Sequence, residues 1–371
     1  MALFPPATVG MSSADVDTPA LILDLDVFER NVTTMRDAVR GSGVRLRPHA
    51  KSHKCPEIAK RQLAAGAIGI CCQKVSEAEA FVDAGIRDVL IANEVIGASK
   101  VKRVAQLARR ARIAVCVDDA RGVAELSQAA DAAGVVIDVL VELDVGAGRC
   151  GVAPGEPAIS LVRTVKAAPY LHFAGLQGYQ GAAQHVRSGV ERRAAIERAA
   201  ALVAATRDAL ARYNIACDTI TGAGTGSFMF ETGSRVYNEI QPGSYIFMDA
   251  DYARNDWTGF PRFEQSLHIL TTVMSTPARE RVIVDAGLKA SSIDSGMPLV
   301  AGWAGLEYTK ASDEHGVVSV AAGSRAPVLG TKLRLVPGHC DPTVNLYDHI
   351  VVLRGDHVDA IWPVSARGAL W

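Results

Sequence analysis

Three things are missing from this sequence of 371 residues: a surplus of either charge, a regular cysteine pattern, and a long apolar run. Lysine and arginine number 39 against 40 aspartates and glutamates, a formal net charge of −1, so nothing favours nucleic acid or an anionic membrane as partner. The seven cysteines (Cys55, Cys71, Cys72, Cys116, Cys150, Cys217 and Cys340) form no C-x-x-C pair matched by a second. An odd number without regular spacing reads as free thiols in a reducing compartment. Cys71 and Cys72 lie together in an apolar run and read as packing. No segment reaches the ~20 apolar residues that span a bilayer. The opening MALFPPATVGMSS has neither a basic start nor a sustained apolar stretch. A soluble, cytoplasmic protein is the expectation.

What is present is core-forming sequence with a rhythm. Hydrophobic residues make up 49% and charged residues 21%, normal for a large globular core. The length suits a barrel of roughly 250 residues plus a second domain of about a hundred. From about residue 20 to residue 250, short Val/Ile/Leu runs alternate with longer Ala-rich amphipathic stretches. Strands are predicted at 44–50, 67–73, 88–95, 112–118, 137–145, 173–179, 219–221 and 239–248. One helix opens at Cys55-Pro56-Glu57, with proline in the first turn, and another ends at Gly85. A long Ala/Arg helix covers about 190–213, and a further helical pattern at 21–41 follows a short strand pattern at 20–23.

Eight strands alternating with helices call for parallel pairing, either in an open doubly wound sheet or in a closed barrel; eight units favour closure. After about Asp256 the texture changes. Segments 267–274, 281–285, 332–336, 349–353 and 357–362 are strand-like, joined by Gly- and Pro-rich turns without a long helix. The expected fold is α/β: a (β/α)8 TIM barrel over residues 20–256, with a C-terminal antiparallel β-domain over 257–371 that residues 1–19 join.

In such a barrel, chemistry sits at the C-terminal ends of the strands. The first strand ends in Arg47-Pro48-His49-Ala50-Lys51-Ser52-His53-Lys54. A lysine there projects into the barrel mouth, where neighbouring cations and poor solvation are expected to lower its pKa, the requirement of a Schiff-base amine. A basic solvated loop is the plain alternative. The seventh strand runs into Gly222-Ala223-Gly224-Thr225-Gly226-Ser227, where glycines let backbone N–H groups converge on an anion and two hydroxyls add donors. Barrels often bind phosphate at this place. A lysine on one strand and a phosphate cradle on another together suggest pyridoxal phosphate. A third feature is Pro337-Gly338-His339-Cys340-Asp341. In an extended segment, alternate residues point the same way, so His339 and Asp341 can share a metal while Cys340 faces away. One imidazole and one carboxylate, completed by water, suit Mn²⁺, Mg²⁺, Co²⁺ or Zn²⁺ in an open site.

RPHAKSHKCPEIAKRQL, ICCQKVSEAEAFVDAGIRDVLIANEV, VGAGRCGV, LQGYQGAAQH, TITGAGTGS, GSYIFMDADY, DAGLK, DEHGVV and PGHCDPTVNLYD occur in this order from about Asp17 to the end. Together they closely resemble the D-threonine aldolases, metal-activated members of the alanine-racemase-like pyridoxal phosphate enzymes; 3-hydroxyaspartate aldolases and D-serine dehydratases share much of the pattern. The resemblance implies that Lys51 tethers pyridoxal 5′-phosphate, that Arg149 faces the cofactor ring oxygen, and that Tyr179 lies at the ring with Gln73 lining the pocket. It further implies that Gly224, Thr225 and Gly226 form the phosphate loop with Tyr245 beside it. His185 then stands near the substrate hydroxyl, and His339 and Asp341 hold a divalent metal, Mn²⁺ foremost. The substrate implied is a small D-3-hydroxy amino acid, and the assembly a homodimer.

Two departures carry weight. Many relatives have glycine where this chain has Ala223, harmless at negative φ and costly at positive φ. The dehydratases tend to place Cys two residues after the metal-binding histidine, where this chain has Asp341; a harder oxygen ligand favours the aldolase reading over a D-serine or 3-hydroxyaspartate dehydratase. A non-catalytic pyridoxal phosphate carrier is usually a lone barrel, and a racemase has no use for the metal pair. His49 and His53 are expected to pack or orient the cofactor, Asp313-Glu314-His315 to lie near the metal or the mouth, and the four tryptophans to serve core or interface.

Overall fold

The computed structural model describes residues 4–371, so of the segment 1–19 the first three residues lie outside the described part. The chain enters through β1 (Ala20–Asp24), and Asp24 caps α1 (Leu25–Val39) by accepting from the Val27 amide at 3.0 Å. The β/α alternation then begins with β2 (Arg45–Leu46), α2 (Pro56–Ala64), β3 (Ile70–Cys72) and α3 (Val75–Asp83). It continues with β4 (Asp88–Glu94), α4 (Ala98–Ala108), β5 (Arg112–Val117), α5 (Ala120–Ala133), β6 (Ile137–Glu142) and α6 (Glu156–Ala167). The last units are β7 (Leu171–Gln177), α7 (Gly189–Arg212), β8 (Thr219–Gly222), α8 (Phe228–Ser234) and β9 (Glu239–Ile240).

Strands β2 to β9 form one parallel sheet in the order β2-β9-β8-β7-β6-β5-β4-β3. It closes on itself where Ile68 N donates to Leu46 O (2.9 Å) and Cys71 N to Pro48 O (2.8 Å), with a parallel bridge between His49 and Cys71. The result is a (β/α)8 barrel. The first and last barrel strands are much shorter than expected, for one reason. Pro48 and Pro242 lack the N–H that would continue the ladder, so regular pairing ends at Leu46 and Ile240 and short 3-10 turns follow at Ala50–Ser52 and Ser244–Ile246. Those turns, not strand ends, carry Lys51 and Ser244.

After α9 (Ala250–Ala253) come β10 (Leu267–Ala278), β11 (Arg281–Val284), β12 (Leu299–Ala301), β13 (Leu306–Ala311), β14 (Gly316–Val320) and β15 (Lys332–Val336). A short α10 (Cys340–Val344) and the hairpin β16 (His349–Arg354) and β17 (His357–Pro363) complete the chain. These strands form the second sheet, antiparallel except where β1 runs parallel to β16. Ala20–Asp24 therefore sits in the β-domain, paired with β10 and β16, although the expected boundary put it in the barrel. Its buried run Ala20-Leu21-Ile22-Leu23 is covered on both faces, which a central strand of that sheet provides. Strands β12 to β14 escaped the sequence reading because they are short and partly exposed.

The inner face of this sheet joins α1 and the β2/β9 side of the barrel in one apolar cluster that includes Leu21, Phe28, Leu46, Ile240, Leu267 and Trp362. That shared core brings α10 against the turn bearing Lys51.

Candidate active site

Strand alternation decides what faces the barrel axis. Cys71, Leu90, Ala92, Cys116 and Leu140 cluster in the interior with Ala174. Two residues further along the same faces come Gln73, Glu94, Asp118 and Glu142, so the barrel is apolar inside and polar at its mouth.

A cavity of about 110 Å³ opens there. Of the expected residues, Lys51, Gln73, Arg149, Tyr179, Gly224 and Thr225 line it. Gly226 stands behind the wall, its amide donating to Gln184 Oε1 at 3.0 Å. Tyr245 is placed differently from expectation. Its side chain is buried, its hydroxyl accepts from Gln62 Nε2 at 3.0 Å, and only its amide reaches the loop, donating to Thr225 Oγ1 at 3.0 Å. The turn after Pro242 points this side chain into the core and leaves Ser244 at the cavity. A wider surface groove, about 830 Å³ along residues 253–265, contains none of the expected residues.

Lys51 forms an ion pair with Asp341 Oδ2, and Asp341 Oδ1 accepts from Ser244 Oγ at 3.4 Å. Burial alone would lower the Lys51 amine, but Asp341, and then Tyr179, hold it above its ordinary value. The sequence-based expectation was the reverse. It counted basic neighbours and could not see a carboxylate 290 positions away. Nor are the two histidines among those neighbours cations: burial drives His49 well below the usual histidine range and His53 to about 3. His53 Nδ1 accepts from the Cys55 amide at 3.1 Å and the ring packs on Phe81, a structural role. His49 lies 3.0 Å from the Gln73 amide nitrogen, inside the cavity wall.

Arg149 lies over the Tyr179 ring, 5.6 Å from its centroid, and 3.6 Å from Glu142 Oε1. Burial, and next to it Glu94, push the Glu142 carboxyl up to about 8, with Arg149 pulling the other way. The loop after β8 is braced by Ser227 Oγ, which accepts from Gln184 Nε2 (2.7 Å) and donates to Glu231 Oε1 (2.8 Å). Ala223 adopts φ +67, the left-handed region where its methyl is strained. Among the described residues, the amides of Thr225, Gly243 and Ser244 donate to no protein acceptor, and all three residues line the cavity. A dianionic phosphate fits such a set of free N–H groups.

His339 is the residue before α10, and Asp341 is already inside that helix, so the pair is presented by a helical turn and not by the extended segment expected. Cys340 does face away, its sulfur 3.6 Å from Met248 O in the core. Gly338 makes the approach feasible: a Cβ there would stand 2.0 Å from Gly296 O. His339 Nδ1 lies 2.8 Å from Asp294 Oδ2 and 3.5 Å from Ser295 Oγ. A carboxylate behind one ring nitrogen is the usual way of aiming the other at a metal, and Nε2 has no partner among the described residues. Lys51 and then His339 hold the Asp341 carboxyl below its ordinary range against the opposing effect of burial. This donor set fits a hard divalent ion. Glu94, Asp118 and Cys150 also bring ligand atoms within 4.8 Å of one another, on the Arg149 side of the mouth.

His185 Nδ1 lies 2.5 Å from Asp251 Oδ2, and the ring stands 5.7 Å from that of Tyr252, which lines the cavity. Asp251 is also bound by Arg187 and by Arg254 (2.6 Å). Gln177, Gln241, Ser244 and Tyr252 line the cavity without having been singled out in the sequence. Ser244 and Tyr252 stand within the GSYIFMDADY run and Gln177 within LQGYQGAAQH, so a signal existed for these three; Gln241 gave none. Asp313, Glu314 and His315 are exposed on the β13–β14 hairpin, where Glu314 pairs with Lys289 at 2.6 Å.

The fold and the lysine-bearing mouth define a class, the alanine-racemase-like barrel enzymes. Residues 23–251 match the family model for the alanine racemase N-terminal domain, and residues 266–353 that for a putative serine dehydratase domain. The chain is 54% identical to a D-threonine aldolase of Arthrobacter sp., over 99% of this chain and 97% of the relative. It is 48% identical to a 3-hydroxy-D-aspartate aldolase of Paracoccus denitrificans, over 98% and 95%. The crystal structure of a D-threonine aldolase from Filomicrobium marinum superposes with a TM-score of 0.97 at 54% identity, covering 99% of this chain and 100% of that one. Within the class, this chain belongs to the D-threonine aldolase family. Membership implies pyridoxal 5′-phosphate as cofactor.

Proposed function

We propose that the protein cleaves D-configured 3-hydroxy amino acids of the D-threonine type to glycine and an aldehyde. It does so with pyridoxal 5′-phosphate on Lys51 and a divalent metal, Mn²⁺ first, with Mg²⁺, Co²⁺ or Zn²⁺ as the other candidates. The observation that carries this reading is the meeting of Lys51 with Asp341: the cofactor-bearing turn of the barrel touches the proposed metal-binding turn of the β-domain. The names of the relatives at 54% and 48% identity support it.

Arg149 and Tyr179 would hold the cofactor ring, Gln73 and His49 its flank, and the free amides of Thr225, Gly243 and Ser244 its phosphate. When bound, the cofactor supplies an electron sink for the carbanion left at Cα. His339 and Asp341 would hold the metal, which would supply Lewis acidity toward the substrate 3-hydroxyl. His185 is the base that takes the hydroxyl proton; Asp251 at Nδ1 fixes the ring and leaves Nε2 for that task. The Cα–Cβ electron pair then stays on Cα, the 3-carbon leaves as aldehyde, and a proton at Cα completes glycine. Asp341, in place of a softer thiolate, favours this cleavage over dehydration. We infer a homodimer in the cytoplasm, a reading supported by the family resemblance and by seven unpaired cysteines.

The test is a product assay on D-threonine and D-3-hydroxyaspartate with and without Mn²⁺. Glycine plus aldehyde is expected; 2-oxo acid plus ammonia would replace this reading with a dehydratase. Lys51→Ala is expected to lose both turnover and the borohydride-sensitive visible absorbance, and turnover surviving in that variant would remove the Lys51 assignment.

A further inference from the structure

Glu142 ends β6 and points inward by the alternation that buries Leu140, yet it does not line the cavity. It is only 3% exposed and contacts two residues that do line it. Its Oε1 is 3.6 Å from Arg149 Nη2, and its Oε2 accepts from Gln177 Nε2 at 3.2 Å. Gln177 Oε1 in turn accepts from Gln241 Nε2 at 2.9 Å, and the same nitrogen donates to Thr221 Oγ1 at 2.8 Å. One buried carboxyl thus anchors a chain of side chains that crosses the mouth from β6 to the end of β9. Among the described residues, Glu142 is the only carboxylate within 4.0 Å of the Arg149 guanidinium, which is otherwise half open to solvent and rests on the Tyr179 ring.

We propose that Glu142 is a positioning residue for the cofactor side of the site, holding the Arg149 guanidinium over the Tyr179 ring and fixing the amide orientation of Gln177. The proposal rests on the reading that Arg149 faces the cofactor ring. A buried hydrogen-bond chain of this kind sets orientations that the individual side chains, each with several rotamers, do not hold alone.

The net charge of the Glu142–Arg149 pair depends on pH through the Glu142 carboxyl. The groups facing it are Glu94 at the end of β4, Cys116 on β5, Asp118 just beyond β5, Arg149 and Cys150 in the loop after β6, and the neutral Gln177. Burial and the like charge of Glu94 oppose its ionisation, so it keeps a proton into the neutral range. Below that titration Arg149 stands as an uncompensated cation toward the cavity; above it the carboxylate neutralises the guanidinium.

The experiment uses purified holoenzyme and its apo form in three variants: Glu142→Gln, Glu142→Ala and Arg149→Ala. Three readouts are taken: affinity of the apo form for pyridoxal 5′-phosphate, visible absorbance of the holoenzyme from pH 6 to 9.5, and melting temperature. Glu142→Gln is expected to abolish one absorbance step present in the native enzyme while leaving the melting temperature level or higher. Glu142→Ala should weaken cofactor binding by roughly tenfold, the usual size of effect when a group orienting a ligand-contacting residue is removed. An unchanged absorbance–pH curve in Glu142→Gln, with cofactor affinity within twofold in both Glu142 variants, overturns the proposal even if Arg149→Ala binds cofactor poorly. If Arg149→Ala itself binds cofactor normally, the Arg149 reading fails first and the proposal falls with it. The glutamine variant keeps the measurement decisive should the alanine variant not fold.

Discussion

Ala223 shows how several small effects meet at one position. A left-handed L-residue costs about 1–2 kcal/mol, whereas glycine there would lose about 0.5–1 kcal/mol in chain entropy and about 0.8 kcal/mol of methyl burial. These terms nearly cancel, so Ala223→Gly is expected to leave stability within about 0.5 kcal/mol and cofactor affinity unchanged. Ala223→Val adds a β-branch at φ +67 and should cost about 2 kcal/mol or more, read by urea unfolding. Glu231, beneath the same loop, gives a pH signature. Burial pushes its carboxyl up to about 7 from 4.5, so between those values the folded protein holds a proton that the unfolded chain releases. Stability from this group is therefore full below about pH 4.5 and is lost as pH rises towards 7. Thermal melts across that window should show a shallower decline in Glu231→Gln than in the native protein. His53 and His268, held down to about 3 and about 4, act oppositely: they lower stability as pH falls below 6.5.

At the scale of elements, the decisive pieces are short and irregular. The turn Ala50–Ser52 and the five-residue α10 carry the proposed catalytic lysine and one of the proposed metal ligands, and each arises where proline or a tight backbone approach stops a strand. Gly338 is the clearest case, since a methyl group would collide with the carbonyl of Gly296. Gly338→Ala is expected to shift His339 and weaken activation by Mn²⁺ severalfold, with the cofactor absorbance preserved because Lys51 and the proposed phosphate loop lie on the barrel. Activation unchanged in a Mn²⁺ titration would separate His339 from the metal.

For the whole molecule, the consequence is a division of labour between two sheets. The barrel offers the proposed cofactor groups and the β-domain the proposed metal ligands, and they meet through Lys51 and Asp341 across a shared apolar core. With the lysine amine committed to the cofactor, as proposed, Asp341 would lose its Lys51 partner, and a divalent ion would be the natural replacement. Treatment with EDTA is thus expected to abolish turnover without bleaching the cofactor band, and added Mn²⁺ to restore it. A band that disappears with the metal would mean that the two sites are not separate.

Much of this could be read from residue order. A repeating β/α texture, eight times over, demands parallel strands with helices outside, and local hydrophobic periodicity is enough to say so. Lys51, the glycine-rich loop and the His339–Asp341 pair were also visible, because each is a compact run of unusual residues. Residue order could not reveal that Asp341 reverses the expected pKa of Lys51, that Tyr245 turns into the core, or that Ala20–Asp24 belongs to the far sheet. Nor could it single out Glu142 and Gln241, ordinary polar residues that matter only once strand alternation, barrel closure and burial bring them together. Electrostatics and hydrogen bonding depend on distances through space, and for residues hundreds of positions apart those distances exist only in the folded chain.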